Sequence, residues 1–288
     1  MFKETRPSPI AGRWYSGDPE NLKMEILHYL NNAAIPDIND KVIGLFVPHA
    51  GYRYSGQTAA YAFKTIWQKH FDQVIILSPY HAYHPAKVIT SSHKFYETPL
   101  GSVAIDQSSI QKLSEEINTN FPEKMATVTN DQEHSLEIQI PFLQIVLSGD
   151  FQLIPLMIRE LTPKQSADLA EKIYLAIHPH STLVVASTDL SHFYPQMIAE
   201  KLDSKMLDQI ESFSIQGVYE TEARGEGYAC GLSAIMVSMA LSRLMGANQV
   251  RKLNYATSAE SSGDYSSVVG YGSGVFIKTD VSERKSKP

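Results

Sequence analysis

Val42-Ile43-Gly44-Leu45-Phe46-Val47 runs straight into Pro48-His49-Ala50-Gly51-Tyr52, and this junction decides how the chain is read. A continuous apolar run bounded by turn residues is the pattern of a strand buried on both faces, as in a parallel sheet. The junction recurs. Residues 74–77 lead into Ser78-Pro79-Tyr80-His81, and residues 183–186 lead into Ser187-Thr188-Asp189-Leu190-Ser191-His192. Residues 151–158 read as a fourth buried strand. Between and beyond these runs, stretches 19–32, 55–69, 107–118, 135–147, 163–177, 198–210 and 231–245 space their apolar residues by three and four, as amphipathic helices do. Strands alternating with helices of that length predict an α/β fold, with a mixed, largely parallel sheet packed between helices. Shorter strands are expected at 87–90, 102–105, 250–256 and 274–277, and a loop at 258–265.

The bulk composition agrees with one large core. The chain has 288 residues, 43% of them hydrophobic and 19% charged, so it is expected to form a single domain over residues 1–279. The tail, 280–288, is rich in Ser, Lys, Arg, Glu and Pro and has nothing to bury. A formal net charge of -6 offers no basic field for counterion release, which argues against nucleic acid as a partner. Neither a signal-peptide core nor an apolar run of membrane-spanning length occurs, so a cytoplasmic protein without membrane association is expected. The single cysteine excludes an internal disulfide.

In open α/β sheets ligands bind beyond the carboxyl ends of the strands. Here strand ends deliver His49, His81 and His192, and imidazoles converging on one crevice suit a borderline metal or an acid/base site. Cys230 stands just before an expected helix, where the N-terminal field lowers a thiol pKa and fits it to be a ligand or nucleophile. Buried packing is the competing account. His134, in Glu133-His134-Ser135-Leu136-Glu137, is placed to reach the same crevice as a supporting group or proton carrier, whereas Glu137 reads as an acid complementing a helix dipole. Asp189 and His192 are either an acid/base pair or a capping Asp beside a structural histidine. Glycine-rich nucleotide loops, Gly-x-Ser-x-Gly and His-Glu-x-x-His are all absent from the sequence.

These segments together resemble the Memo family. The resemblance rests on residues 48–56, 78–81, 133–137 with the region 139–141, and 187–192, supported by Arg6-Pro7, by Ala11-Gly12-Arg13-Trp14-Tyr15 and by Cys230-Gly231. It implies a fold similar to the class III extradiol dioxygenases, with His49, His81 and Cys230 as metal ligands and His134, Asp189 and His192 lining the pocket. It further implies Fe(II), with copper or zinc as other occupants, and redox or oxygen-related chemistry on a small molecule. The alternative is a non-catalytic scaffold that binds a peptide or protein partner or buffers metal. Where those dioxygenases use two histidines and a carboxylate, a thiolate stands here, so ring cleavage does not carry over. A metal-free site with Cys230 as nucleophile and His49 or His192 as base is a third reading.

Overall fold

The computed structural model describes residues 4–279. The expected tail, 280–288, lies outside the described residues. The main sheet takes β2 (Lys41–Val47), β3 (Gln73–Pro79), β4 (Val88–Ser91), β7 (Met125–Val128), β8 (Gln152–Ile158), β9 (Thr182–Ser187), β10 (His192–Tyr194), β11 (Gln249–Thr257) and β12 (Val268–Lys278). Its order is β10-β12-β2-β9-β3-β8-β4-β7, with β11 on β12. The centre, β2-β9-β3-β8, is parallel, and β12 and β4 join it antiparallel on either side. A small second sheet pairs β1 (Thr5–Arg6), β5 (Phe95–Thr98) and β6 (Gly101–Ala104).

Alternation along the central strands explains why their sequences are apolar throughout. In β3, Val74 and Ile76 enter one core while Ile75 and Leu77 enter another. The first core is closed by α1 (Pro19–Asn32), α2 (Tyr52–Lys64) and α4 (Ile140–Val146). The opposite face is covered by α3 (Gln107–Asn120), α5 (Pro163–Ala176) and α8 (Leu232–Leu244). A third cluster sets Ile43 and Phe46 against α6 (Gln196–Glu211) and α7 (Ile215–Ala223). The strands are thus buried on both faces, as the unbroken apolar runs require. One sheet collecting strands from residue 41 to residue 278 makes a single α/β domain.

Several expectations change in detail. The helix expected at 135–147 is a 3-10 turn, Glu137–Gln139, followed by the shorter α4, whose first turn holds Pro141. Proline has no N–H to donate and is tolerated there but not deeper in a helix. Helix α7 falls where no helix was expected. Its apolar residues, Ile215, Val218 and Tyr219, make a face of little more than one turn around Gly217. The loop at 258–265 contains a single turn, α9 (Ala259–Ser262). Among the described residues no helix is long and apolar enough to cross a membrane.

Candidate metal centre

Register places the site. β9 lies between β2 and β3, with Val47 level with Ser187 and Leu77 level with Ala186. His49, Asp189 and His81 each follow the end of their strand by two residues, which sets the three residues together beyond the carboxyl ends of adjacent parallel strands. The ligand atoms of His49, His81 and His134 all lie within 4.8 Å of one another. His134 comes from the loop before the 3-10 turn, and its ring stacks on His81 at 4.8 Å and 12°. Trp14 covers the outer face of His134 at 4.1 Å.

Cys230 arrives from the other side. Gly231, the N-cap of α8, sits so close to β9 that a Cβ there would lie 2.4 Å from the Ser187 carbonyl oxygen. That approach lets the Gly231 N–H donate to Thr188 Oγ1 and the Cys230 N–H to the Asp189 carbonyl. Cys230 Sγ consequently rests 3.1 Å from His49 Nε2 and accepts from the Asp189 N–H. His192 is set by the pairing of β10 with β12, and its Nδ1 donates to the Leu190 carbonyl. Its neighbour Phe193 has φ +64°, an uncommon conformation for an aromatic residue, and is 75% exposed.

Each imidazole of the cluster has a group behind it. Ser187 Oγ lies 3.0 Å from His49 Nδ1, donates its only proton to the Ser135 carbonyl at 2.6 Å and accepts from Gln139 Nε2. With that proton spent, His49 must donate from Nδ1, which leaves the lone pair on Nε2. Burial first, then the neighbouring histidines, hold His49 well below the usual imidazole pKa, so the ring is neutral. His81 Nδ1 meets Glu133 Oε1 at 2.9 Å, and His134 Nδ1 lies 3.5 Å from the same oxygen. Burial opposes the charge on Glu133, but hydrogen bonds from the His81 ring and from the backbone N–H groups of His81 and Ser135 hold its carboxyl well below its usual range. Burial also opposes charge on His81, and Glu133 reverses this, raising its pKa. His134, where burial wins, falls to about 4. Ring nitrogens fixed from behind by acceptors are the usual support of metal-binding histidines.

Two expectations about charge are corrected here. Burial pushes the Cys230 thiol well above its usual pKa, and the Asp189 charge adds to this, so the helix N-terminus does not lower it. A protonated thiol is a poor nucleophile, which weighs against the metal-free reading. Glu137 is fully buried, with Arg6 at 2.5 Å and further hydrogen bonds from Ser8 and Tyr15, and so serves as an internal anion rather than a helix-end charge. Arg6 also clamps Asp131 and the Glu133 carbonyl, which ties the N-terminal strand to the loop that carries His134.

A cavity of about 480 Å³ opens above the cluster, lined by His49, His81, His134, Asp189 and His192 with Arg13, Trp14, Tyr54 and Tyr271 among the remaining walls. Asp189 Oδ1 accepts from the His49 N–H at 2.7 Å, and burial raises its pKa to about 7 against the pull of the His49 and Ala50 N–H groups. No hydrogen bond joins Asp189 to His192 among the described residues; each faces the cavity on its own. Glu133, Ser187, Gln139 and Trp14 complete the site. All four stand in or beside segments that carry the family resemblance, but which imidazole each one supports depends on the fold.

Fold and site together define a mixed α/β sheet whose strand ends carry a histidine cluster that could hold a metal ion. The family model for Memo-like protein matches residues 6–275. MEMO1 family proteins of Methanopyrus kandleri and Methanobrevibacter smithii are 33% and 36% identical, each over 94% of this chain and 98% and 99% of their own length. One from Saccharolobus solfataricus is 35% identical over 91% of this chain and 95% of its own. The chain belongs to the Memo family.

Proposed function

We propose that the chain is a metal-dependent redox protein in which His49, His81 and Cys230 hold one iron ion, taken up as Fe(II). The observation that carries a metal here is the convergence of ligand atoms from His49, His81 and His134 within 4.8 Å; Cys230 Sγ, 3.1 Å from His49 Nε2 but outside that group, is the third ligand that the family resemblance implies. The donors fit such an ion: the Nδ1 atoms of His49 and His81 are engaged from behind, and imidazole with thiolate suits iron, and also copper or zinc. His134 stacks on His81 at the same cluster and is placed as a proton carrier next to the ligands. Bound iron would supply Lewis acidity and one-electron exchange to a small molecule in the cavity. Asp189, its pKa raised to about 7, exchanges its proton near neutral pH, and His192 presents the nitrogen opposite its Leu190 contact, so both are placed to move protons at the cavity wall.

Elemental mass spectrometry of anaerobically purified, untagged protein tests this reading. About one iron per chain is expected in the wild type, lost in His49→Ala and Cys230→Ala and kept in His134→Ala. Full occupancy in the first two variants overturns the ligand set, and loss in His134→Ala with retention in Cys230→Ala transfers the third position to His134. A second reading, a scaffold that binds a protein partner and turns nothing over, is favoured by Phe193 and Met197, 75% and 72% exposed beside His192. Metal-dependent oxygen consumption by the loaded protein decides against it.

A further inference from the structure

Arg13 is held at the mouth of the cavity by a turn that has little freedom. Its own N–H and that of Trp14 donate to the Ile10 carbonyl, the Gly12 N–H donates to Tyr15, and the Trp14 carbonyl accepts from the Tyr52 N–H at the start of α2. Gly12 takes φ +75°, which the turn requires, and Ile10 and Tyr15 are buried on either side. The backbone of Arg13 is therefore fixed, while its side chain is exposed and lines the cavity.

Its side chain is also uncommitted. Arg6, Arg159, Arg224 and Arg251 are salt-bridged, and Arg53 and Arg243 lie over aromatic rings. Among the described arginines only Arg13 has no ion pair, hydrogen bond or ring contact from its side chain. The one carboxylate lining the cavity, Asp189, is at its floor and already accepts from the His49 backbone. Trp14, Tyr54 and Tyr271 add aromatic surface to the same wall as the guanidinium and the imidazoles. A volume of about 480 Å³ is in the range of small-molecule sites. A guanidinium offers a planar fork of donors that matches a carboxylate bidentately.

We propose that the cavity takes a small aromatic carboxylate, its anionic end held by Arg13 and its ring between the aromatic walls, so that the far edge of the molecule faces His49, His81 and His134. This rests on reading the cavity as a small-molecule site above a metal centre, and it makes Arg13 the residue that selects for charge.

The test uses benzoate, its neutral isostere benzamide, and inorganic phosphate, titrated by calorimetry into the full chain, metal-free and Fe(II)-loaded, as wild type, Arg13→Ala and Arg13→Lys. Benzoate is expected to bind the wild type about tenfold more tightly than Arg13→Ala, with Arg13→Lys between them and added salt narrowing the gap. Benzamide is expected to bind weakly and alike to all three. Equal benzoate affinity in wild type and Arg13→Ala, no benzoate binding at all, or benzamide binding as well as benzoate overturns the proposal. Arg13-dependent phosphate binding without benzoate binding overturns the aromatic carboxylate. Metal content is measured in parallel: a wild type that takes up no iron counts against the metal centre, while the metal-free titrations still decide on Arg13.

Discussion

Ser187 shows how one hydroxyl sets the character of the site. Because its proton goes to the Ser135 carbonyl, it acts on His49 as an acceptor and keeps the Nε2 lone pair available. Ser187→Ala is expected to weaken metal binding by about 10- to 100-fold, read by competition with a chelator, and to lower stability by about 1–3 kcal/mol through the buried donors it strands. Asp189 sets a pH dependence. Burial raises it from 3.8 to about 7, so the folded chain keeps a proton that the unfolded chain has released. Its contribution to stability is present below about pH 4 and is lost as pH rises toward about 7. In chelator-treated protein, Asp189→Asn is expected to remove up to about 1.4 kcal/mol per pH unit from the downward slope across that window, measured by urea denaturation. An unchanged slope would show that Asp189 is not the group responsible. Burial of this kind cannot be read from Ser187-Thr188-Asp189 alone, since the same three residues on a surface loop would titrate normally.

Between elements, the contacts that matter join segments far apart in the chain. The strand β1 brings Arg6 under the 131–137 loop, where it neutralises Asp131 and Glu137. Arg6→Met leaves both acids buried without their partner, and a loss of about 3–5 kcal/mol is expected in denaturant unfolding, far above the effect of removing a surface pair such as Lys164–Asp168. The junction of β9 with α8 is equally exacting. Gly231→Ala places a methyl group against the Ser187 carbonyl and forces the start of α8 away from the sheet, carrying Cys230 with it. A lower melting temperature together with weaker metal binding is the expected outcome; weaker binding with unchanged melting would locate the effect elsewhere. The Cys230-Gly231 pair was legible as an element of interest, but why the glycine is needed was not, because the obstructing carbonyl lies more than forty residues earlier in the chain.

At the scale of the molecule, the pocket is built from segments between residue 13 and residue 271, so occupancy of the centre should stabilise the whole domain. Metal at about a hundred times its dissociation constant is expected to add about 2.7 kcal/mol and to raise the melting temperature of the wild type but not of His49→Ala, followed by differential scanning calorimetry. The central strands and the helices that alternate with them, the burial of those strands on both faces and the placing of His49, His81 and Asp189 at strand ends followed from the sequence by itself, because strand and helix periodicity are local and the strand-end position is a matter of counting; the short strands β1, β5, β7 and β10 and helix α7 did not. Tertiary structure alone decided that β9 runs between β2 and β3, that the His134 ring stacks on His81, that Glu137 pairs with Arg6, and that the Cys230 thiol is partly buried with a raised rather than a lowered pKa. The reason is common to all four: each depends on which distant segments are brought into contact, and on the water this excludes, and neither is written in the spacing of residues along the chain.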